Sequence, residues 1–150
     1  MIPLLIYVAG PYRAPTVWGI DQNIHDARRF GVELAKRRAF PVIPHANTAH
    51  FDGLAPDDFW LEGTLALMRK CDGVLLMPTW RASSGARAEA REALNLAMAV
   101  VDMEAAPETL TDWLAAIRRC REEHVALEPW AFGRESVEAG LAHFNRARSA

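Results

Sequence analysis

Short apolar runs alternate with helical patterns along this chain, and this alternation constrains the fold more than any other feature. The runs "LLIYVAG", "FPVIPH" and "GVLLMP" are continuous and rich in β-branched residues, which is typical of strands buried on both faces. Patterns with helical spacing follow at residues 22–38, 57–71 and 85–99. Because strands that alternate with helices form right-handed βαβ units, the sequence predicts an α/β fold with a mostly parallel sheet.

Length and composition restrict the class of protein. The 150 residues suffice for a single domain, and the net charge of -2 provides no basic face for a nucleic-acid polymer and no polybasic membrane anchor. The opening apolar run is too short for a signal peptide or a membrane span. Cys71 and Cys120 lack metal-ligand spacing and are expected to be reduced thiols. We therefore expect a cytoplasmic protein with a small-molecule ligand.

Three loops carry polar and aromatic side chains that folding alone does not require: "GPYRAP", "HANTAHFDG" and "TWRASSGA". All three lie at the predicted carboxyl edge of the sheet, where α/β proteins bind their ligands. The dinucleotide fingerprint needs three glycines around the first turn, where only Gly10 is present, and the phosphate loop of NTPases is missing. His45 and His50 have no partner cluster for a metal, so we predict that they hydrogen-bond a ligand or each other. The sequence predicts no metal and no cofactor.

The stretch "SSGARAE" opens a predicted helix with two hydroxyls, a glycine and an acid. Ser83, Ser84 and Gly85 offer hydroxyls and free backbone N–H groups that suit a phosphate or a carboxylate, although a simple N-cap explains the serines about as well. Glu89 falls in the first turns, at the edge of the buried stripe. The helix dipole is expected to keep it ionised, as a nucleophile requires; an ordinary first-turn acid is the alternative.

Read together, "IYVAGPYR", "PVIPHAN", "FWLEGTLALMRKCDGVLLMP" and "W..SSGARAE" resemble the nucleoside 2-deoxyribosyltransferase superfamily, in particular its small, poorly characterised branch. The resemblance runs from about Ile6 to Val101. Relatives exchange nucleobases or hydrolyse the N-glycosidic bond of nucleoside 5'-monophosphates. The resemblance implies a flavodoxin- or Rossmann-like three-layer sandwich with four or five strands, a homodimer or larger assembly, and no metal. The core is then expected over about residues 3–104, and extra helices over about 105–150.

The resemblance also implies roles for individual residues. Glu89 matches the catalytic glutamate of the family, which attacks the anomeric carbon of the sugar or stabilises the cation that forms there. Gly10 and Arg13 match the loop that holds the 5' end of the sugar, and Ser83 matches a phosphate-binding serine. Tyr12 and Trp80 are expected to flank the base or sugar, or else to pack in the core. The remaining predicted substrate-binding residues are His45, Asn47, Thr64, Ser84 and Gly85.

Thr64 marks a departure from the family pattern. Much of the superfamily has an aspartate there that helps to protonate or position the leaving base, and a hydroxyl is no general acid near neutral pH. The preferred function is an N-glycosidase or N-(deoxy)ribosyltransferase acting on a nucleoside or nucleoside 5'-monophosphate, with Glu89 as nucleophile. The alternatives are a non-catalytic nucleotide-binding or sensing module and a hydrolase of another glycosyl or phosphate compound.

Overall fold

A sheet of four parallel strands organises the protein. The computed structural model describes residues 2–127 and 133–149. The strands lie in the order β2-β1-β3-β4, all parallel to their neighbours. Their bounds are Leu4–Ala9 for β1, Ala39–Val42 for β2, Gly73–Leu76 for β3 and Ala99–Asp102 for β4. The predicted α/β fold with a parallel sheet is therefore confirmed, with four strands.

Helices cover both faces of the sheet, which gives the three-layer sandwich. Helices α1 and α5 pack on one face, where Leu34 and Trp113 are fully buried. Helices α3, α4 and α6 pack on the other, around Met68 and Ala90. The bounds are Val17–Lys36 for α1, Pro44–Asn47 for α2, Asp57–Met68 for α3, Ser84–Asn95 for α4, Leu110–Glu123 for α5 and Arg134–Ser149 for α6.

The start of α1 and the end of α4 differ most from the sequence prediction. Helix α1 starts before the predicted range because Thr16 caps it, its hydroxyl accepting a hydrogen bond from the Gly19 N–H at 3.0 Å. Because Trp18 in this first turn is exposed, the spacing of apolar residues did not reveal where α1 starts. Helix α4 ends at Asn95, since Ala97 adopts a left-handed conformation with φ of 52° and the chain turns into β4. The segment 128–132 of "EPWAFG" lies outside the described residues.

Buried polar groups tie the ends of the sheet to the surrounding helices. At the carboxyl edge Asp102 is fully buried, and its Oδ2 accepts hydrogen bonds from Arg81 at 2.8 Å and from Ser136 of α6 at 3.1 Å. At the opposite edge Asp72 accepts a hydrogen bond from the Leu5 N–H at 2.7 Å, which is a structural role. Within the described residues, no helix has the length and apolarity needed to cross a membrane.

Candidate functional site

A cavity of about 710 Å³ opens at the carboxyl edge of the sheet. The three loops expected at this edge converge on it, together with one side of α3 and the first turns of α4. Most of the predicted site residues line it: Gly10, Tyr12, Arg13, His45, Thr64, Ser83, Ser84, Gly85 and Glu89. The topology therefore brings together residues that are up to eighty positions apart in the chain.

Asn47 and Trp80 do not line this cavity. Asn47 is the last residue of α2 and is exposed, and Trp80 is fully buried in the core between the sheet and α4. Trp80 therefore packs in the core, which was the second of its two expected roles. The Arg81 guanidinium lies over its ring, 4.7 Å from the ring centroid. Trp60 of α3 lines the cavity instead, and the sequence analysis did not single it out. Trp60 is partly buried on the apolar face of α3, where an aromatic side chain usually indicates core packing, so its position gave no signal for a ligand site.

Glu89 is the buried carboxyl group of the cavity. It is 8% exposed, and its Oε2 atom has no hydrogen-bond partner among the described residues. Burial raises the pKa of Glu89 to about 7, and the nearby Tyr7 hydroxyl lowers it in part, although the two groups do not meet ordinary hydrogen-bond geometry. The expectation that the helix dipole keeps Glu89 fully ionised is wrong, since desolvation outweighs the dipole at this depth.

Tyr7 lies on β1, one of the two inner strands, and its hydroxyl is close to Glu89 and Thr64. Its burial, followed by the charge of Glu89, raises the pKa of the phenol well above its ordinary value. The hydroxyl is fully buried and has no hydrogen bond of good geometry in the described part of the chain. Sequence reasoning missed Tyr7 because an aromatic residue inside a buried strand is usually core packing. The one sign of a functional role in the sequence was that Tyr7 places a hydroxyl on the strand that leads directly into the loop "GPYRAP".

The two histidines have different roles. His45 is buried, and its Nε2 lies 3.1 Å and 3.0 Å from the carbonyl oxygens of Gly10 and Pro11, which assigns the proton to Nε2. Burial lowers the pKa of His45, so the ring is neutral and its Nδ1 lone pair remains unpartnered among the described residues. His50 lies outside the cavity lining and pairs with Asp21 at 2.8 Å. The expected contact between the two histidines is absent from the described structure, which also offers no acid, histidine or cysteine cluster for a metal.

Hydrogen bonds hold the loop "GPYRAP" against α1 and against the loop that precedes α3. The Tyr12 hydroxyl donates to Asp52 at 2.7 Å, and Asn23 of α1 donates to the Tyr12 carbonyl at 2.9 Å. Arg13 forms an ion pair with Asp57 at the start of α3, and both side chains are mostly exposed, at 67% and 79%. An incoming anion therefore competes with Asp57 for Arg13.

Two hydroxyl groups of the cavity lining, those of Ser83 and Thr64, form hydrogen bonds with nearby backbone groups. Ser83 is the N-cap of α4, its Oγ accepting from the Ala86 N–H at 3.2 Å. The next N–H groups, of Ser84 and Gly85, have no intrahelical partner by helix geometry and face the cavity side of α4. Thr64 donates its hydroxyl proton to the Leu61 carbonyl at 3.1 Å. An anion can therefore bind at the α4 terminus, whereas Thr64 has no free proton to donate.

Comparison with known proteins finds a family model that matches the part of the chain that forms the cavity. The family model of DUF7768, a domain of unknown function, matches residues 4–103, which include all four strands and the residues that line the cavity. No curated protein and no solved structure gives a significant match to the chain.

Proposed function

Since the chain belongs to the DUF7768 family, whose function is unknown, we propose its function from the site: an N-glycosidase or N-(deoxy)ribosyltransferase that cleaves the base–sugar bond of a nucleoside or nucleoside 5'-monophosphate. The observation that carries this proposal is the buried Glu89 carboxyl in the cavity, with one oxygen that has no hydrogen-bond partner among the described residues. A carboxyl group without partners in a cleft is a typical catalytic candidate. Two further proposals are the assembly into homodimers or larger oligomers, supported by the family resemblance, and a cytoplasmic location, supported by the composition and the expected reduced cysteines.

The reaction follows from the chemistry of a carboxylate. The ionised Glu89 oxygen attacks the anomeric carbon as the carbon–nitrogen bond breaks, and the electron pair of that bond goes to the base. Water or a second base then attacks the same carbon and regenerates the carboxylate. Because burial leaves Glu89 near half-ionised at neutral pH, the attacking form is populated but not dominant.

The direct test is base release. The purified protein is incubated with neutral nucleosides and their 5'-monophosphates, in ribose and deoxyribose forms, and free base is quantified by chromatography over a pH series. Cleavage of any of these substrates supports the proposal, and the addition of a second base distinguishes transfer from hydrolysis. Binding without cleavage of any substrate would favour the alternative, a non-catalytic nucleotide-binding or sensing module. The occupied hydroxyl of Thr64 is the observation that favours that alternative.

Arg13 is predicted to select for the 5'-phosphate. Replacement by alanine is expected to weaken monophosphate binding by about 1.5 kcal/mol, the lower end for a charged hydrogen bond because the side chain is exposed and already paired. Binding of the bare nucleoside is expected to change little. Calorimetric titration of both ligands measures the difference, and an equal loss for both would make Arg13 structural.

Asp57→Asn is the complementary variant, since it frees Arg13 from its ion pair and is expected to tighten monophosphate binding. Arg29→Ala serves as the matched control. Arg29 is an exposed arginine of α1 outside the cavity lining, with a weak contact to Asp26 at 3.9 Å.

Thr64→Asp is predicted to accelerate the release of neutral bases. The parent is expected to cleave ordinary purine and pyrimidine nucleosides slowly, because its Thr64 proton is bound to the Leu61 carbonyl and His45 is neutral with its proton on Nε2. A carboxyl group at position 64 supplies an acid next to Glu89, worth roughly 10²-fold in rate. Single-turnover base release over a pH series measures the change.

Thr64→Asn is the control, because it matches the shape of aspartate without an ionisable proton. The gain is expected in the aspartate variant alone. A fast parent, with the aspartate variant slower at every pH, would show that Thr64 is a working part of a different mechanism.

A further inference from the structure

The cavity presents more negative than positive charge to a ligand. Asp52, Asp57 and Glu89 line it, and Arg13 is the sole cationic side chain among the described lining residues. Arg13 is already paired with Asp57. A ligand therefore meets two carboxyl groups that no cation neutralises, one of them Glu89, which is more than nine-tenths buried with an unpartnered oxygen in the described structure.

Aromatic rings form part of the cavity wall. Tyr12, Phe51 and Trp60 line the cavity, and the rings of Phe51 and Trp60 meet edge to face with centroids 6.3 Å apart. The face of such a ring carries negative electrostatic potential and attracts cations. The wall and the carboxyl groups therefore favour the same ligand property, which is positive charge on a flat ring.

Three polar residues of the cavity lining direct their protons away from a leaving base. Thr64 donates to the Leu61 carbonyl and Tyr12 donates to Asp52. His45 presents a neutral ring whose proton points at the backbone. A neutral purine or pyrimidine needs protonation to leave well, whereas a ring that already carries a positive charge leaves as a neutral molecule without a proton.

We propose that the ligand of this cavity is an N-riboside whose heteroaromatic base carries a fixed positive charge, such as an N-alkylated pyridinium or an N7-alkylated purine. The inference rests on the proposed function and specifies its substrate class. As the carbon–nitrogen bond breaks, its electron pair neutralises the ring nitrogen, and Glu89 forms the ester to the anomeric carbon. Water then cleaves the ester, so one riboside cation and one water become one neutral base, one sugar and one proton.

A cation in the cavity also favours the ionised form of Glu89. Tyr7 from β1 acts on the pKa of Glu89 and is uncharged near neutral pH, as is the Thr64 hydroxyl from α3, which lines the same cavity. The other titratable lining groups are Tyr12, Arg13, His45, Asp52 and Asp57. A positive ring beside the carboxyl group lowers its pKa from about 7, so binding releases a proton and produces the nucleophile in the same step. A neutral base has the opposite effect, because it only displaces water.

The test compares two uncleavable ligands of similar shape, carbocyclic nicotinamide riboside as the cation and benzamide riboside as its neutral counterpart. Both are titrated calorimetrically into the protein near pH 7, in two buffers that differ in ionisation enthalpy. We expect the cation to bind at least about tenfold more tightly and to release about half a proton from the parent protein. Glu89→Gln is expected to release none. Equal affinity for the two ligands, or tighter binding of the neutral one, would overturn the inference.

Two acid variants on α3 sharpen the comparison. Asp57→Asn is expected to reduce the preference for the cation, whereas Glu62→Gln, an exposed acid outside the cavity lining, is expected to leave it unchanged. Cleavage of neutral nucleosides without any cation preference leaves the proposed function standing and removes this inference. Cation binding with proton release, but without cleavage of any riboside, removes the proposed function and leaves the inference about the charge of the ligand standing.

Discussion

Glu89→Gln is expected to abolish base release, with a loss of roughly 10³-fold or more, while ligand binding changes only a few-fold. An amide is neutral at every pH and does not attack the anomeric carbon, yet it has nearly the shape of the carboxyl group. The substitution also breaks no hydrogen bond to Oε2, because the described residues provide none. Single-turnover base release and calorimetric binding of a nucleoside together measure the two effects.

Glu92→Gln is the matched control on the same helix. Glu92 lies outside the cavity lining and is held by Arg69, whose Nε and Nη2 donate to its Oε1 at 2.9 Å and 2.7 Å. This variant is expected to retain full activity. Unchanged turnover in Glu89→Gln, on any substrate that the parent accepts, would remove the nucleophile assignment.

Glu89→Gln is also expected to become more stable than the parent as the pH rises. The native carboxyl group binds its proton more tightly than the unfolded one, with a pKa of about 7 against an ordinary value of 4.5. The parent therefore loses free energy of unfolding as the pH rises above the unfolded pKa, and the loss is complete above the native one. The amide carries no such penalty. We expect the difference between variant and parent to grow by about 2.5 kcal/mol from about pH 5 to about pH 8.5.

Urea denaturation of both proteins across this range measures the difference. Glu92→Gln again provides the control, because Glu92 lies on the same helix, outside the cavity lining, with its side chain a quarter exposed. A constant difference between Glu89→Gln and the parent would mean that water reaches the Glu89 carboxyl group in the native state and that its pKa is ordinary.

The fold was largely predictable because its signals are local. The runs around β1 and β3 alternate with helical spacing, and this pattern is enough to define a parallel sheet. The helix ends were less predictable: the N-cap Thr16 precedes an exposed Trp18, and Ala97 adopts a conformation that alanine seldom takes. Neither of these helix ends can be located from the spacing of apolar residues.

The sequence by itself determined which loops meet at the site, because all parallel strands present their carboxyl ends at the same edge. Only the tertiary structure decided what the side chains there do. Tyr12 reaches Asp52 and Arg13 reaches Asp57 across 40 and 44 positions of chain, and neither pairing follows from local spacing. The same holds for Glu89. Its position at the start of a helix favours an ionised carboxyl group, but its charge is set by desolvation, which depends on the residues that the whole fold packs around it.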